Sequence, residues 1–181
     1  GRRVTTSAPT TTNEVLPATA ISSQFSAVNG DFCNAARFDR RAVVEVASSP
    51  LFDYTTQLSA SAWIFPTAYP SVANGADLFS VLSNDVNYEF HIDRNGKLYW
   101  WWNGPSITSA TTIPLNQWTH VAITFNSTTG QQRIYINGVA DANVGTWTGT
   151  LTANSCNFYV GGDVGTGTCA VRTDRNFQGL I

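Results

Sequence analysis

An all-β fold is predicted by three features of the sequence. Charged residues make up 12% of the 181, against about 25% in an average soluble domain, so the surface must be polar without being ionic. There are only three Glu (Glu14, Glu45, Glu89), one Lys (Lys97) and no Met, but twenty-three Thr and fifteen Asn. Straight-chain helix formers are therefore scarce, while Thr, Val, Tyr, Phe, Trp and Ile suit the pleated, half-buried surface of a sheet. From Phe25 onward, short strand-like runs alternate with turn residues, and no segment carries a helical period of useful length. The length fits one core and leaves no room for separate catalytic and binding domains.

Residues Thr5 to Thr19 hold Thr, Ser, Ala and Pro with almost no large apolar side chain, too little to offset their ordering entropy. Residues 1–20 are thus expected to form a Thr-rich extended arm or linker and residues 21–181 a sandwich. The expected strands run from Ala35 to Phe38, Val43 to Val46, Ser59 to Phe65, Leu78 to Leu82 and Tyr88 to Asp93. Others run from Lys97 to Trp102, Trp118 to Asn126, Gln132 to Asn137 and Asn157 to Val160.

The turn at Asn95-Gly96 decides which aromatic side chains are buried, because a one-residue slip exchanges the two faces of a strand. A two-residue loop would set Phe90 opposite Trp101 and mix apolar with polar groups on both faces. A three-residue loop with Gly96 left-handed pairs Asp93 with Lys97 instead. Tyr88, Phe90, Ile92, Leu98, Trp100 and Trp102 then share one face, and Glu89, His91, Asp93, Lys97, Tyr99 and Trp101 the other. The cleaner division favours the second register.

The net charge is −2, and nine Arg are scattered with no basic run longer than two, which excludes a nucleic-acid backbone as the primary partner. No apolar run reaches the eighteen or more residues of a membrane span, and no signal peptide opens the chain. It starts at Gly1 rather than Met, as a mature product or a fragment does. Cys33, Cys156 and Cys169 make an odd set. The short, glycine-rich stretch between the last two favours a Cys156–Cys169 disulfide, with a partner for Cys33 outside the chain; three reduced, buried thiols are the alternative. A surface rich in Thr and Asn and poor in Lys points to an extracellular or cell-surface location.

The segments Ser59-Ala-Ser-Ala-Trp-Ile-Phe-Pro66, Trp118-Thr-His-Val-Ala-Ile-Thr-Phe125, Arg133-Ile-Tyr-Ile-Asn-Gly138, Val160-Gly-Gly-Asp163 and Phe177-Gln-Gly-Leu-Ile181 carry a family resemblance. In order and spacing, the chain from about Phe32 onward resembles a laminin-G-like domain of the concanavalin A superfamily. The resemblance implies a two-sheet antiparallel jelly-roll sandwich. Cys33 together with the late Cys156 and Cys169 is similar to the laminin-G-like module of mannose-sensitive haemagglutinin pilus biogenesis proteins. Two departures stand out. The family's closing strand usually continues beyond Phe-x-Gly-x-Ile, so a short or absent strand and an open edge are expected at Ile181. At Phe38-Asp-Arg-Arg-Ala-Val-Val-Glu-Val46 the family's turn glycine and second acid are missing, which puts an inherited metal site there in doubt.

Glycoside hydrolysis usually needs two carboxyl groups about 5–9.5 Å apart, and three Glu, one of them in the arm, make such a pair hard to assemble. Glu89, His91 and Asp93 alternate on one face but lack an acid at the middle position. Neither His91 nor His120 stands beside a nucleophile motif, His120 reads as a packed strand residue, and zinc spacing is absent. Calcium is the cofactor the resemblance allows. Asp85-Val-Asn-Tyr88 and Gly162-Asp163 offer oxygen donors, but no dense Asp/Asn loop appears, and no ligands are assigned.

Binding chemistry is better represented. Glu89, His91, Tyr99 and Trp101 would put aromatic surface and polar groups on one face of one hairpin, as sugar recognition requires, unless a loop or the arm covers that face. Trp63, Trp118 and Trp147 read as core or rim packing. The expectation is a non-catalytic adhesion module recognising glycans or surface proteins. The alternative is a structural subunit or cap of a surface appendage that self-assembles by strand pairing, and a glycosidase comes third.

Overall fold

The computed structural model describes the backbone of residues 3–7, 11–15, 25–28 and 32–181 except Asn103, with side chains from Ala35 onward. Seventeen strands occur among these residues. The first five are β1 (Arg3–Ser7), β2 (Thr11–Val15), β3 (Phe25–Val28), β4 (Phe32–Asp39) and β5 (Val43–Val46). The middle of the chain forms β6 (Gln57–Pro66), β7 (Leu78–Ser83), β8 (Glu89–Asp93), β9 (Lys97–Trp101), β10 (Ile107–Thr112) and β11 (Thr119–Asn126). There follow β12 (Gln131–Ile136), β13 (Val139–Thr146), β14 (Phe158–Val160), β15 (Asp163–Val164), β16 (Val171–Arg172) and β17 (Gln178–Leu180).

They make two stacked sheets. One has the order β10-β9-β8-β7-β14-β5-β1-β2, the other β13-β12-β11-β6-β17-β4-β3, and β15 pairs with β16 alone. Neighbours are antiparallel except β1 and β5, so the fold is the expected two-sheet β-sandwich. Alternation builds the core: in β11, Val121, Ile123 and Phe125 are buried between half-buried His120, Ala122, Thr124 and Asn126. From the first sheet Phe79, Val81, Phe90, Ile92, Leu98 and Trp100 meet Ile64, Val121, Ile123 and Ile134 of the second.

The β8–β9 hairpin takes the three-residue register. Glu89 lies opposite Trp101, Phe90 opposite Trp100 and His91 opposite Tyr99, and Gly96 has φ +71°, with Tyr69 packed so closely that a Cβ would enter its ring. Only glycine meets both conditions at little cost.

Two expectations about edges change. β17 is short but hydrogen-bonded on both sides, to β4 and β6, and Ala36 and Ile181 exchange backbone bonds of 2.9 and 3.0 Å. The residues before Ile181 therefore fill an internal position rather than an open edge. Within the arm, β1 pairs with β5 and β2 with β1, which satisfies the β5 edge without a second copy; residues 8–10 and 16–24, and the side chain of Cys33, lie outside the described set.

Beyond β14 the chain turns back at Gly161 (φ +70°), where a Cβ would enter the Phe38 ring. It then runs across the outer face of the eight-stranded sheet. Ser80 N–H donates to the Arg175 carbonyl at 2.8 Å and Gly167 N–H to the Asp85 carboxylate at 3.0 Å. Val164 closes a small second core with Val43 and Tyr159. The Cys156–Cys169 disulfide, Cα atoms 5.0 Å apart, ties this cover to the sheet.

Candidate functional site

The outward side of the hairpin meets the edge of this cover at a pocket of about 400 Å³ lined by Asp77, Leu78, Glu89, Tyr99, Trp101, Thr166 and Arg175. Sheet alternation puts Glu89, Tyr99 and Trp101 on the same side. Asp77 arrives from the turn before β7, and Thr166 and Arg175 from the cover. Tyr99 and Trp101 are half-buried. Glu89 and His91 are only 2% and 0% exposed, because the cover seals β8 from outside while the core seals it from inside. The open polar face expected of the hairpin is thus a recess, with His91 behind its wall.

Three carboxylates converge on one guanidinium. Arg175 donates from a terminal nitrogen to Asp163 Oδ2 at 3.0 Å and from Nε to Asp77 Oδ1 at 3.4 Å, and lies 3.9 Å from Glu89 Oε2. Asp163 also accepts from Ser83 Oγ at 2.8 Å and from Val164 N–H at 2.7 Å. Glu89 Oε2 is 2.7 Å from His91 Nε2, and the His91 ring stacks on Tyr99 with centroids 6.2 Å apart. Glu89 Oε1, His91 Nδ1 and Ser80 Oγ are buried without a hydrogen-bond partner among the described residues. Such orphaned groups are uncommon and costly, and Glu89 Oε1 belongs to a pocket-lining side chain.

Burial is the largest influence on Glu89 and holds its carboxyl above the usual range, against the pull of His91 and Arg175. Burial would also raise Asp77, but the charge and hydrogen bond of Arg175 prevail and lower it. A raised folded value means that Glu89 contributes its stability below its unfolded value and loses it as pH rises through the folded one. Glu89→Gln should therefore gain in melting temperature relative to the wild type as pH climbs above 4.5. Paired thermal melts across pH check this, and a pH-independent difference would contradict it.

The ligand atoms of Glu89, His91 and Asp163 lie within 4.8 Å of one another, yet Arg175 already supplies a cation there. The donors considered for calcium do not fit one ion. Asp163 is engaged by Arg175 and Ser83, while Asp85 is buried beneath the cover, accepting from Gly167. Glu45, on the distant β5, accepts from Tyr159 Oη at 2.6 Å and Asn157 Nδ2 at 2.5 Å and so braces the sheet. His120 packs on Trp63, which is 42% exposed on the far sheet and so not core. Trp147 packs on Trp102 and Phe125, and Trp118 on Phe65.

Sequence reasoning missed Asp77, Thr166 and Arg175 as pocket groups. Each comes from a turn or from the cover, and no local pattern announces them. The disulfide makes the cover testable. Replacing Cys156 and Cys169 with Ser removes a constraint on a 13-residue separation, which should cost about 3 kcal/mol on the chain-entropy model and loosen Thr166 and Arg175. Denaturant unfolding checks the first effect; an unchanged midpoint would contradict it.

Two antiparallel sheets stacked as a jelly roll, with a recess on the outer face of one of them, define a concanavalin-type sandwich. The chain belongs to the concanavalin A-like lectin/glucanases superfamily, whose Laminin G 3 family model matches residues 38–181. Solved structures share the fold. A Bacteroides ovatus protein described as carbohydrate-binding is 20% identical, with a TM-score of 0.61 over 81% of this chain and 40% of its own. Domain 4 of an extracellular arabinanase from Geobacillus stearothermophilus, solved with arabinotriose, is 21% identical, with a TM-score of 0.60 over 88% of this chain and 72% of its own. Domains LG4-5 of the mouse laminin α1 chain are 13% identical, with a TM-score of 0.52 over 81% of this chain and 38% of theirs. The chain thus spans less than half of the first and third of these. A search of curated proteins finds no match.

Proposed function

We propose that this chain is a non-catalytic glycan-binding module acting outside the cell, and that the pocket between the β8–β9 hairpin and the cover takes a sugar residue. The observation that carries this reading is the pairing of Tyr99 and Trp101 with Glu89 in one recess. Aromatic rings stack on the C–H face of a sugar while convergent polar groups fix its hydroxyls, and the half-exposed Asp77 carboxylate in the same lining is an acceptor for such a hydroxyl. The disulfide suits an oxidising compartment. Among the described residues no helix is long and apolar enough to cross a membrane.

Catalysis is disfavoured by the same geometry. Hydrolysis of a glycosidic bond needs an acid and a nucleophile or base on opposite sides of it, whereas Asp77, Glu89 and Asp163 all gather around one guanidinium and Asp163 has no exposed surface. A glycan array followed by calorimetry on the hits tests the reading. Trp101→Ala should weaken binding about tenfold or more, as loss of an aromatic anchor does, and the bound oligosaccharides should remain intact on long incubation. Binding that is indifferent to Trp101, or turnover abolished by Glu89→Gln, would refute it.

A further inference from the structure

We infer that the pocket accepts uncharged sugar residues and rejects those presenting a carboxylate or sulfate to it, because the only cation among the described residues of its lining is already shared among three carboxylates. This rests on the pocket being a glycan site. Arg175 alone among the described lining residues is basic, and it contacts Asp163, Asp77 and Glu89 at 3.0, 3.4 and 3.9 Å. A guanidinium recognises an anion best through a free pair of parallel donors, but here Nε faces Asp77 and a terminal nitrogen faces Asp163.

Of the cations described nearby, one is paired with a carboxylate and two are hydrogen-bonded to backbone carbonyls. Arg172 makes two bonds to Asp174, at 3.0 and 2.6 Å. Lys97, on the same face of β9 as Tyr99 and Trp101, donates to the Ala110 carbonyl, and Arg94 Nε donates to the Ala76 carbonyl at 3.2 Å. His91 is sealed behind Glu89, to which it is bonded. An incoming anion would therefore meet Asp77 and Glu89 in a lining whose one described cation, Arg175, is already shared with carboxylates, and like-charge juxtaposition is how a site refuses a partner. A sugar hydroxyl meets the opposite situation. It can donate to the half-exposed Asp77 carboxylate, which lines the pocket.

The test uses sugar pairs of the same β linkage that differ only by oxidation at C6: mannan against mannuronan oligomers, and cello-type glucan against glucuronan. Each is titrated into the intact protein by calorimetry at low and at physiological salt. For whichever epimer binds, the uronate is expected to bind at least tenfold more weakly at low salt, and the gap should narrow as salt screens the charges. Asp77→Asn keeps an acceptor oxygen but removes a charge and releases Arg175 Nε, so it should reduce the neutral-to-uronate ratio at least threefold. A uronate bound as tightly as its neutral partner overturns the inference and leaves the glycan reading standing. An unchanged ratio in Asp77→Asn overturns the charge explanation. Failure of every neutral and acidic oligomer to bind sinks the glycan reading, and the inference falls with it.

Discussion

Trp100→Ala is expected to lower the unfolding free energy by about 3–5 kcal/mol, the usual cost of emptying an aromatic site in a core. That is a large part of the roughly 5–15 kcal/mol that holds a domain together. Trp100 is 1% exposed and meets Trp102 edge-on, with ring centroids 4.9 Å apart. Trp102 in turn touches Phe125 and Trp147, so the cavity would open in the middle of an aromatic stack that links both sheets and is poorly placed to collapse. One residue further on, the consequence reverses. Trp101 points to the pocket, so Trp101→Ala should cost about 1 kcal/mol or less in stability while removing most of the ligand affinity. Equilibrium denaturation of the two variants side by side checks this contrast. Similar losses in both would contradict the register that separates them.

Asp141→Ala should be the second severe change, costing about 3 kcal/mol. The Asp141 carboxylate accepts from the backbone N–H groups of Ala110 at 2.7 Å, Thr111 at 2.9 Å and Asn143 at 3.0 Å, fastening β10 of one sheet to β13 of the other. Hydrogen bonds to an ionised acceptor are about twice as strong as neutral ones, and truncation would remove three of them at once, leaving the N–H groups of the exposed Ala110, Thr111 and Asn143 to water. Burial pushes the Asp141 carboxyl upward, but these backbone donors outweigh it and hold the group below its usual value of 3.8. A lowered folded value means stability that is present above the unfolded one and lost as pH falls through the folded one. The gap between wild type and Asp141→Ala should therefore shrink in acid below about pH 3.8. A gap that persists unchanged at pH 2 would contradict the clamp.

The same two neighbourhoods show where sequence reading reaches and where it stops. The hairpin was legible because its information is local. Asn95-Gly96 selects the turn, and the alternation from Tyr88 to Trp102 permits one register that keeps apolar and polar side chains apart. β11 and β12 were legible for the same reason. β10 and β13 were not: Ile-Thr-Ser-Ala-Thr-Thr and Val-Ala-Asp-Ala-Asn-Val-Gly-Thr carry too few large apolar residues to announce strands. Their pairing depends on the clamp between Asp141 and a backbone 30 and 31 residues away. The pocket was half legible. Glu89, Tyr99 and Trp101 follow from alternation, but the burial of Glu89 and His91 follows from residues 161–177 folding over them. That cover is held by contacts such as Gly167 to Asp85, 82 positions apart, which no window of sequence contains.

The measurement closest to the central claim is a nuclear magnetic resonance titration of the six indole N–H signals, each assigned by single Trp→Phe variants, with the tightest-binding oligosaccharide from the array. The pocket account predicts that the Trp101 indole shifts and saturates with the calorimetric affinity. The Trp63 indole, on the opposite sheet, should stay where it is. A titration in which Trp63 moves and Trp101 does not would put the glycan on the wrong face of the sandwich and contradict the account.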